Sequence, residues 1–260
     1  MTSQILLDIN NHVATVTLSN PGKLNAVDLG MWHALRDTMQ TISRNAAVRC
    51  IILRGEGDKA FAAGGDIEEF LHVRATEDDA LRYHEEGVAT ALNSIRQCPL
   101  PTVAAIAGAC IGGGLEIAGC CDLRIAGESA RFGAPINKLG FSMYPNEMAG
   151  LLALVGPAVV LEILLEGRIF TAAEALQKGL LSRVVPDPSV FEEAETCAAR
   201  IATGAPLVAR WHKAWVHRLS QNTPLTEAEK RASFAFLTTE DYREGMDAFF
   251  AKRAPQFKGR

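Results

Sequence analysis

TVAAIAGACIGGGLEIAGCCDLRIAG, Thr102–Gly127, is the stretch whose reading decides the fold. It carries no charge before Glu116, and its other ionic side chains are Asp122 and Arg124. Thr102–Gly108 is apolar without polar alternation, which predicts a strand covered on both faces. Cys121–Gly127 predicts a second one. The glycines at 112–114 lie between them and open a short helix that contains Glu116. A strand, a glycine turn, a helix and a returning strand make up the repeating unit of an α/β protein.

Working upstream, VRCIILRG is another covered strand, followed by the loop EGDKAFAAGGD. TEDDALRYHEEGVATALNSIRQC predicts one long helix, closed by PLP. ILLDI and HVATVTL flank NN and predict an opening hairpin. The SNPGKLNAVD loop ends at Asp28, a helix N-cap, after which Met31, Leu35, Met39 and Ile42 recur at helical spacing. Downstream of Asn146 strand signals fade. Capping boxes stand at Thr171/Glu174 and Thr226/Glu229, and the remaining segments have helical periodicity. The chain is read as an α/β core over 1–195 with a helical region over 196–260. It contains no repeat, low-complexity tract or flexible linker.

Composition narrows the partners. The 260 residues are 48% hydrophobic with a net charge of −4, so a sizeable core can form. No lysine- or arginine-rich run is present, which argues against nucleic acid. The charge-free run Gln97–Leu115 is long for a soluble segment, but its two prolines and four glycines make it a poor membrane span. MTSQILLDIN has neither the basic start nor the apolar core of a secretory signal. The six cysteines lie in apolar contexts without a C-x-x-C, as expected of reduced core thiols in a cytoplasmic or organelle-matrix setting.

Two glycine loops carry the chemistry. Strand-to-helix glycines leave backbone N–H groups unpaired and let another molecule approach them. Such groups, with the positive helix end, can hold an anion or a developing oxyanion. They can equally serve only to pack a helix closely on a strand. FAAGGD, Phe61–Asp66, is the second loop, and its alternative reading is a tight turn with Asp66 as N-cap. GGGLE lacks the Gly-Lys-Ser/Thr of a phosphate loop, and Ile117 stands where a dinucleotide fingerprint needs glycine. Glu116 sits in the first helical turn, either as a partner of the helix dipole or as a general acid/base near the amides. Burial and the helix start would push its pKa in opposite directions. His12, His33, His72, His84, His212 and His217 show no metal-ligand spacing, and no G-x-S-x-G occurs. Trp211 and Trp215, four apart, are read as core or interface.

LSNPGKLNAVD, FAAGGDIEEF, IAGACIGGGLEIAGCCDLRIAGESARFGAP and TTEDYREGMDAFFAKRAPQFKG together resemble the crotonase family, the enoyl-CoA hydratases and isomerases. The match runs in order over nearly the whole chain. The resemblance implies a spiral of ββα units with a C-terminal α-helical trimerisation region, assembled as a trimer or a dimer of trimers. It implies an acyl-CoA thioester substrate, no separate cofactor, no metal and no membrane partner. By position it maps the oxyanion donors onto the N–H groups of Gly65 and Gly113, and the first catalytic glutamate of the hydratases onto Glu116. CoA contacts fall near Leu24, Ala63, Asp66, Ile67 and Ile136. Arg54, Lys59, Lys252 and Lys258 are candidates to meet the CoA phosphates.

One departure matters. Hydratases carry a second glutamate directly after the proline of FGxP, and here FGAPINKLG places Ile136 there. FSMYPNEM also replaces a glycine-rich stretch; Tyr144 falls near the water site, and Asn146 and Glu147 fall where the next helix would begin. Three readings stay open. Glu116 acts alone in adding water; Tyr144 or Glu147 supplies the missing acid; or the chain runs another enolate reaction, such as isomerisation, decarboxylation or thioester hydrolysis. A non-catalytic acyl-CoA-binding protein is the rival from another class.

Overall fold

The computed structural model describes residues 2–260. Strands β1 (Gln4–Asn10), β2 (Val13–Ser19), β3 (Cys50–Gly55), β4 (Ala60–Ala62), β5 (Thr102–Ile106), β6 (Ala109–Ile111), β7 (Leu123–Gly127), β8 (Arg131–Gly133), β9 (Phe170–Thr171) and β10 (Arg183–Val185) form two sheets. The larger has the order β1-β2-β3-β5-β7-β10 and the smaller β4-β6-β8-β9. Each turn of the chain therefore lays one strand in each sheet: β3 then β4, β5 then β6, β7 then β8. That is the spiral of ββα units the resemblance implies. The pairs β3–β5, β5–β7, β4–β6 and β6–β8 are all parallel.

The opening hairpin forms, but its turn is Asn11–His12 rather than the expected Asn10–Asn11. Both turn residues are left-handed (φ 46° and 68°), as a two-residue hairpin loop requires. Strand formation also continues past residue 146, where strand signals fade in the sequence. β9 and β10 are short enough, at two and three residues, to leave no periodic signal.

β3 and β5 divide their side chains between two cores. Ile51, Leu53, Ala104 and Ile106 join the main core with Met31, Trp32, Leu35 and Met39 of the Leu29–Ser43 helix. Cys50, Ile52, Val103 and Ala105 face the other way and are covered by Val190, Ala194, Cys197 and Ala198. Those four come from the Val190–Thr203 helix, so the expected boundary between residues 195 and 196 cuts through a helix that the core needs. The helical appendage begins after Gly204. It is tied back by the Lys213 ammonium, which donates to the Asp122 carboxylate (2.8 Å) and the Leu100 carbonyl (3.0 Å). All six cysteines are free and buried.

Two helices differ from the sequence reading. The expected helix after Thr76 runs as α-helix over Glu77–Arg82, as a π-helical turn over Tyr83–Ala89 and again as α-helix over Thr90–Arg96. The Pro145–Glu166 helix is long and apolar enough to cross a membrane by length and composition. It is broken at Gly156, which is non-helical (φ 73°, ψ 174°) just before Pro157, and its first half packs Gly150 and Leu151 against Gly119 and Cys120.

Candidate active site

Strands β4 and β6 end side by side, and the two glycine loops leave from those ends. β6 leads through Gly112 (φ 49°) into the Gly113–Cys120 helix. At Gly114 a side chain would stand 2.4 Å from the Ala62 carbonyl, so the helix can start against β4 only without one. The added-methyl position on Gly113 lies 3.4 Å from the Gly65 nitrogen, so the two loops converge. Gly113 occupies the first helical position, whose N–H has no intrahelical acceptor. Among the described residues, neither the Gly65 nor the Gly113 N–H donates to a protein acceptor.

Both amides line one cavity, together with Glu116, Glu147, His84 and Arg74 and an apolar wall that includes Trp32, Phe70, Tyr83, Val88, Phe141 and Met143. Glu116 is 7% exposed, which excludes the reading as a surface partner of the helix dipole. Its pKa is pushed well above the usual carboxylate range by burial, with the facing Glu147 adding to the effect. The helix start does not reverse that direction.

Glu147 sits in the first turn of the Pro145–Glu166 helix and is 5% exposed. Burial raises its pKa to about 8, against the opposing charge of Arg74. Its Oε1 lies 2.6 Å from Nδ1 of His84, a residue of the π-helical turn. Burial and Arg74 push the His84 imidazole down to about 4. Arg74 sits between Phe70 and Phe141, 4.4 Å from each ring centre.

The other expected site residues divide. Ala63, Ile67 and Ile136 line the cavity. Leu24 does not; it is left-handed and half exposed, in a neighbouring depression with Lys59, although its carbonyl accepts from the Ala63 N–H at 3.1 Å. Asp66 is outside as well. Its carboxylate caps the turn at Glu68 and takes the Lys23 ammonium at 2.6 Å, which holds the lysine well above its usual pKa. Tyr144 is not part of the wall: its hydroxyl donates to Glu85, and its ring stacks on the outer side of His84. Arg54 is turned away, its guanidinium 3.4 Å from the Phe191 ring centre. Among the described residues no cluster of metal-ligating side chains forms. His84 and Tyr83 escape a reading as site residues because the π-helical turn that aims them inward shifts them off the 3.6-residue pattern, and Arg74 and Trp32 stand in no motif. Gly87, inside an otherwise helical run, was the one available signal; a methyl there would lie 2.9 Å from Leu29.

Two mainly parallel sheets wound as a spiral, with two free amides and a buried acid on one cavity, define a crotonase-type protein. The sequence profile of the enoyl-CoA hydratase/isomerase family matches residues 8–260. The chain is 33% identical to a mitochondrial enoyl-CoA hydratase of Pongo abelii over 96% of this chain and 84% of that one. Its structure superposes on an enoyl-CoA hydratase/carnitine racemase of Magnetospirillum magneticum with a TM-score of 0.96 and 48% identity, covering 98% and 96% of the two chains. An enoyl-CoA hydratase of Bacillus anthracis gives a TM-score of 0.88 at 31% identity, covering 98% and 99%. This chain belongs to the enoyl-CoA hydratase/isomerase family, a family of enzymes.

Proposed function

We propose that the protein adds water across the double bond of a 2-enoyl-CoA thioester. The observation that carries this reading is the convergence of the Gly65 and Gly113 amides with the buried Glu116 on one cavity. The thioester carbonyl oxygen accepts from the two N–H groups. Glu116 takes a proton from water as its oxygen bonds to C3, and the π electrons move onto the carbonyl oxygen as an enolate. The amides stabilise that charge where it develops, a contribution of about 10²–10³ in rate for each donor. Protonation at C2 returns the electrons and completes the 3-hydroxyacyl thioester. The apolar wall suits an acyl chain, and no separate cofactor enters.

A second reading, migration of the double bond, is favoured by the presence of two buried carboxyls, Glu116 and Glu147, on the same cavity. Such a pair can remove a proton at one carbon and return it at another.

The appendage supports the trimer or dimer of trimers. Phe249 and Phe250 are 76% and 74% exposed, and Phe234, Leu237 and Val216 are exposed too, side chains suited to an interface between copies of the chain. A cytoplasmic location belongs to the same reading.

Purified protein incubated with crotonyl-CoA, and then with a panel of enoyl-, malonyl- and β-keto-CoA thioesters read by mass spectrometry, tests the assignment. A gain of one water on crotonyl-CoA is expected. Thioester binding without any turnover across the panel overturns the enzymatic reading.

A further inference from the structure

Ile136 leaves the position of the second hydratase acid empty of proton chemistry, yet the same cavity holds a buried pair that nothing in the FGAPINKLG segment foretells. We propose that the hydrogen-bonded pair of Glu147 and His84 is the second proton site, with Glu147 as the acid that protonates C2 and His84 as the positioning residue that keeps it charged with its proton. The proposal rests on the hydration reading above.

The geometry is specific. Glu147 and His84 come from different elements, 63 residues apart, and meet at 2.6 Å. Both side chains are nearly buried, and both line the same cavity as Glu116. One proton lies between them. On the carboxyl it makes a neutral acid donating to Nδ1; on the ring it makes an ion pair. The pair is neutral in either form. Glu116 therefore faces a neutral partner rather than a second carboxylate, and a charge can settle on Glu116 without a like charge across the cavity.

Burial favours the uncharged carboxylic acid form over the ion pair. Arg74, from the loop before Thr76, opposes a proton on either group and Glu85 favours one on either, so those two charges do not decide where it sits. Glu85, one residue further along the π-helical turn, is held by the Tyr144 hydroxyl and by the Asn146 amide at 2.9 Å. The Tyr144 ring stacks on the imidazole with centroids 5.2 Å apart, and Tyr83 meets it edge-on at 5.0 Å. These contacts fix the ring plane that presents Nδ1 to Glu147.

In the balanced step, Glu116 takes a proton from the attacking water and the C3–O bond forms; the Glu147 hydroxyl gives up its hydrogen bond to Nδ1, turns to the substrate, and the enolate collapses as that proton moves to C2. Glu147 is then a carboxylate and Glu116 an acid. Release of one proton from Glu116 to solvent and uptake of one by Glu147 restore both, so water and the enoyl thioester are the only reactants.

The test uses the full-length protein. Glu147→Gln is expected to lower kcat on crotonyl-CoA by about 10²–10⁴, the usual contribution of a positioned general acid, with KM little changed. Glu147→Asp retains the acid and keeps part of the rate. His84→Gln is expected to move the basic limb of the pH–rate profile, which in the parent protein follows Glu147 near pH 8. A merely structural role for His84 would change the rate without moving that limb. A second readout needs no turnover: in ¹⁵N spectra of the unliganded protein, the His84 Nδ1 signal is expected to shift on Glu147→Gln. Full hydratase activity in folded Glu147→Gln, or an unmoved pH limb in folded His84→Gln, overturns the proposal. If the parent protein hydrates no thioester, the hydration reading fails by itself; an unchanged His84 signal in Glu147→Gln then overturns the pair as well.

Discussion

The two walls of the cavity are built in opposite ways. The glycine wall is backbone: two strand ends, two turns and a helix start, all within short stretches of sequence. The acid wall is side chains carried in from the π-helical turn, the Phe70–Val73 helix and the start of the Pro145–Glu166 helix. Both end in a buried carboxyl with a raised pKa, Glu116 on one side and Glu147 on the other. The difference teaches that local sequence can specify a hydrogen-bond donor exactly where a chain bends, whereas a buried acid–imidazole pair depends on how separate elements pack.

The largest expected effect is on the glycine wall's own acid. Glu116→Gln keeps the shape and removes the base, so kcat on crotonyl-CoA should fall by about 10³–10⁴ while thioester binding persists; a residual rate near the parent's would shift the water-activating role to Glu147. Next is Gly113→Pro. Proline is tolerated at a first helical position and deletes the donor N–H, so kcat/KM should drop by about 10²–10³. Its ring must displace Trp32, whose nearest carbon would lie 3.1 Å from the added methyl, so a thermal melt should accompany the kinetics. Equal losses on 2-enoyl and 3-enoyl thioesters would show that the amides serve any enolate, leaving the reaction type to the acids.

Ile136→Glu sharpens the comparison from the other side. It restores an acid at the position of the family's second glutamate in a cavity that already holds two. Burial of a further carboxyl is expected to lower stability by about 1–3 kcal/mol in chemical denaturation without raising the hydration rate. A large gain in rate would mean the Glu147–His84 pair does not fill that role. The smallest effect is on the pH dependence of stability. The His84 pKa is about 4 in the folded protein against the usual 6.5. At this residue the unfolded chain therefore binds more protons between those values, and the stability it contributes is present above pH 6.5 and lost as pH falls through 4, opposite in sign to the contribution of Glu147. Denaturation midpoints of the parent and His84→Gln should converge in slope across that window only if another group dominates it.

Much of the fold could be read directly. Covered strands, the Asp28 cap, both capping boxes and the helix at Gly113 follow from residue type and spacing, and the family motifs supplied the spiral and the pairing of Gly65 with Gly113. Glu116 was identifiable because it is the single acid beside a glycine triplet. The smaller sheet escaped residue-level reading because strands of two or three residues carry no period. Asp66 and Leu24 match motif positions but lie outside the cavity, Asp66 holding Lys23 and the Glu68 amide and Leu24 standing half exposed in a left-handed turn.

By itself the sequence determined the strands, the turns and the two amides, because hydrophobic periodicity and glycine's freedom act over a few neighbouring residues. Only the tertiary structure decided which acid faces Glu116, because a π-helical turn and a helix N-terminus 63 residues away must pack before His84 and Glu147 can share a proton. Burial, a property of the whole fold, then set the protonation of both.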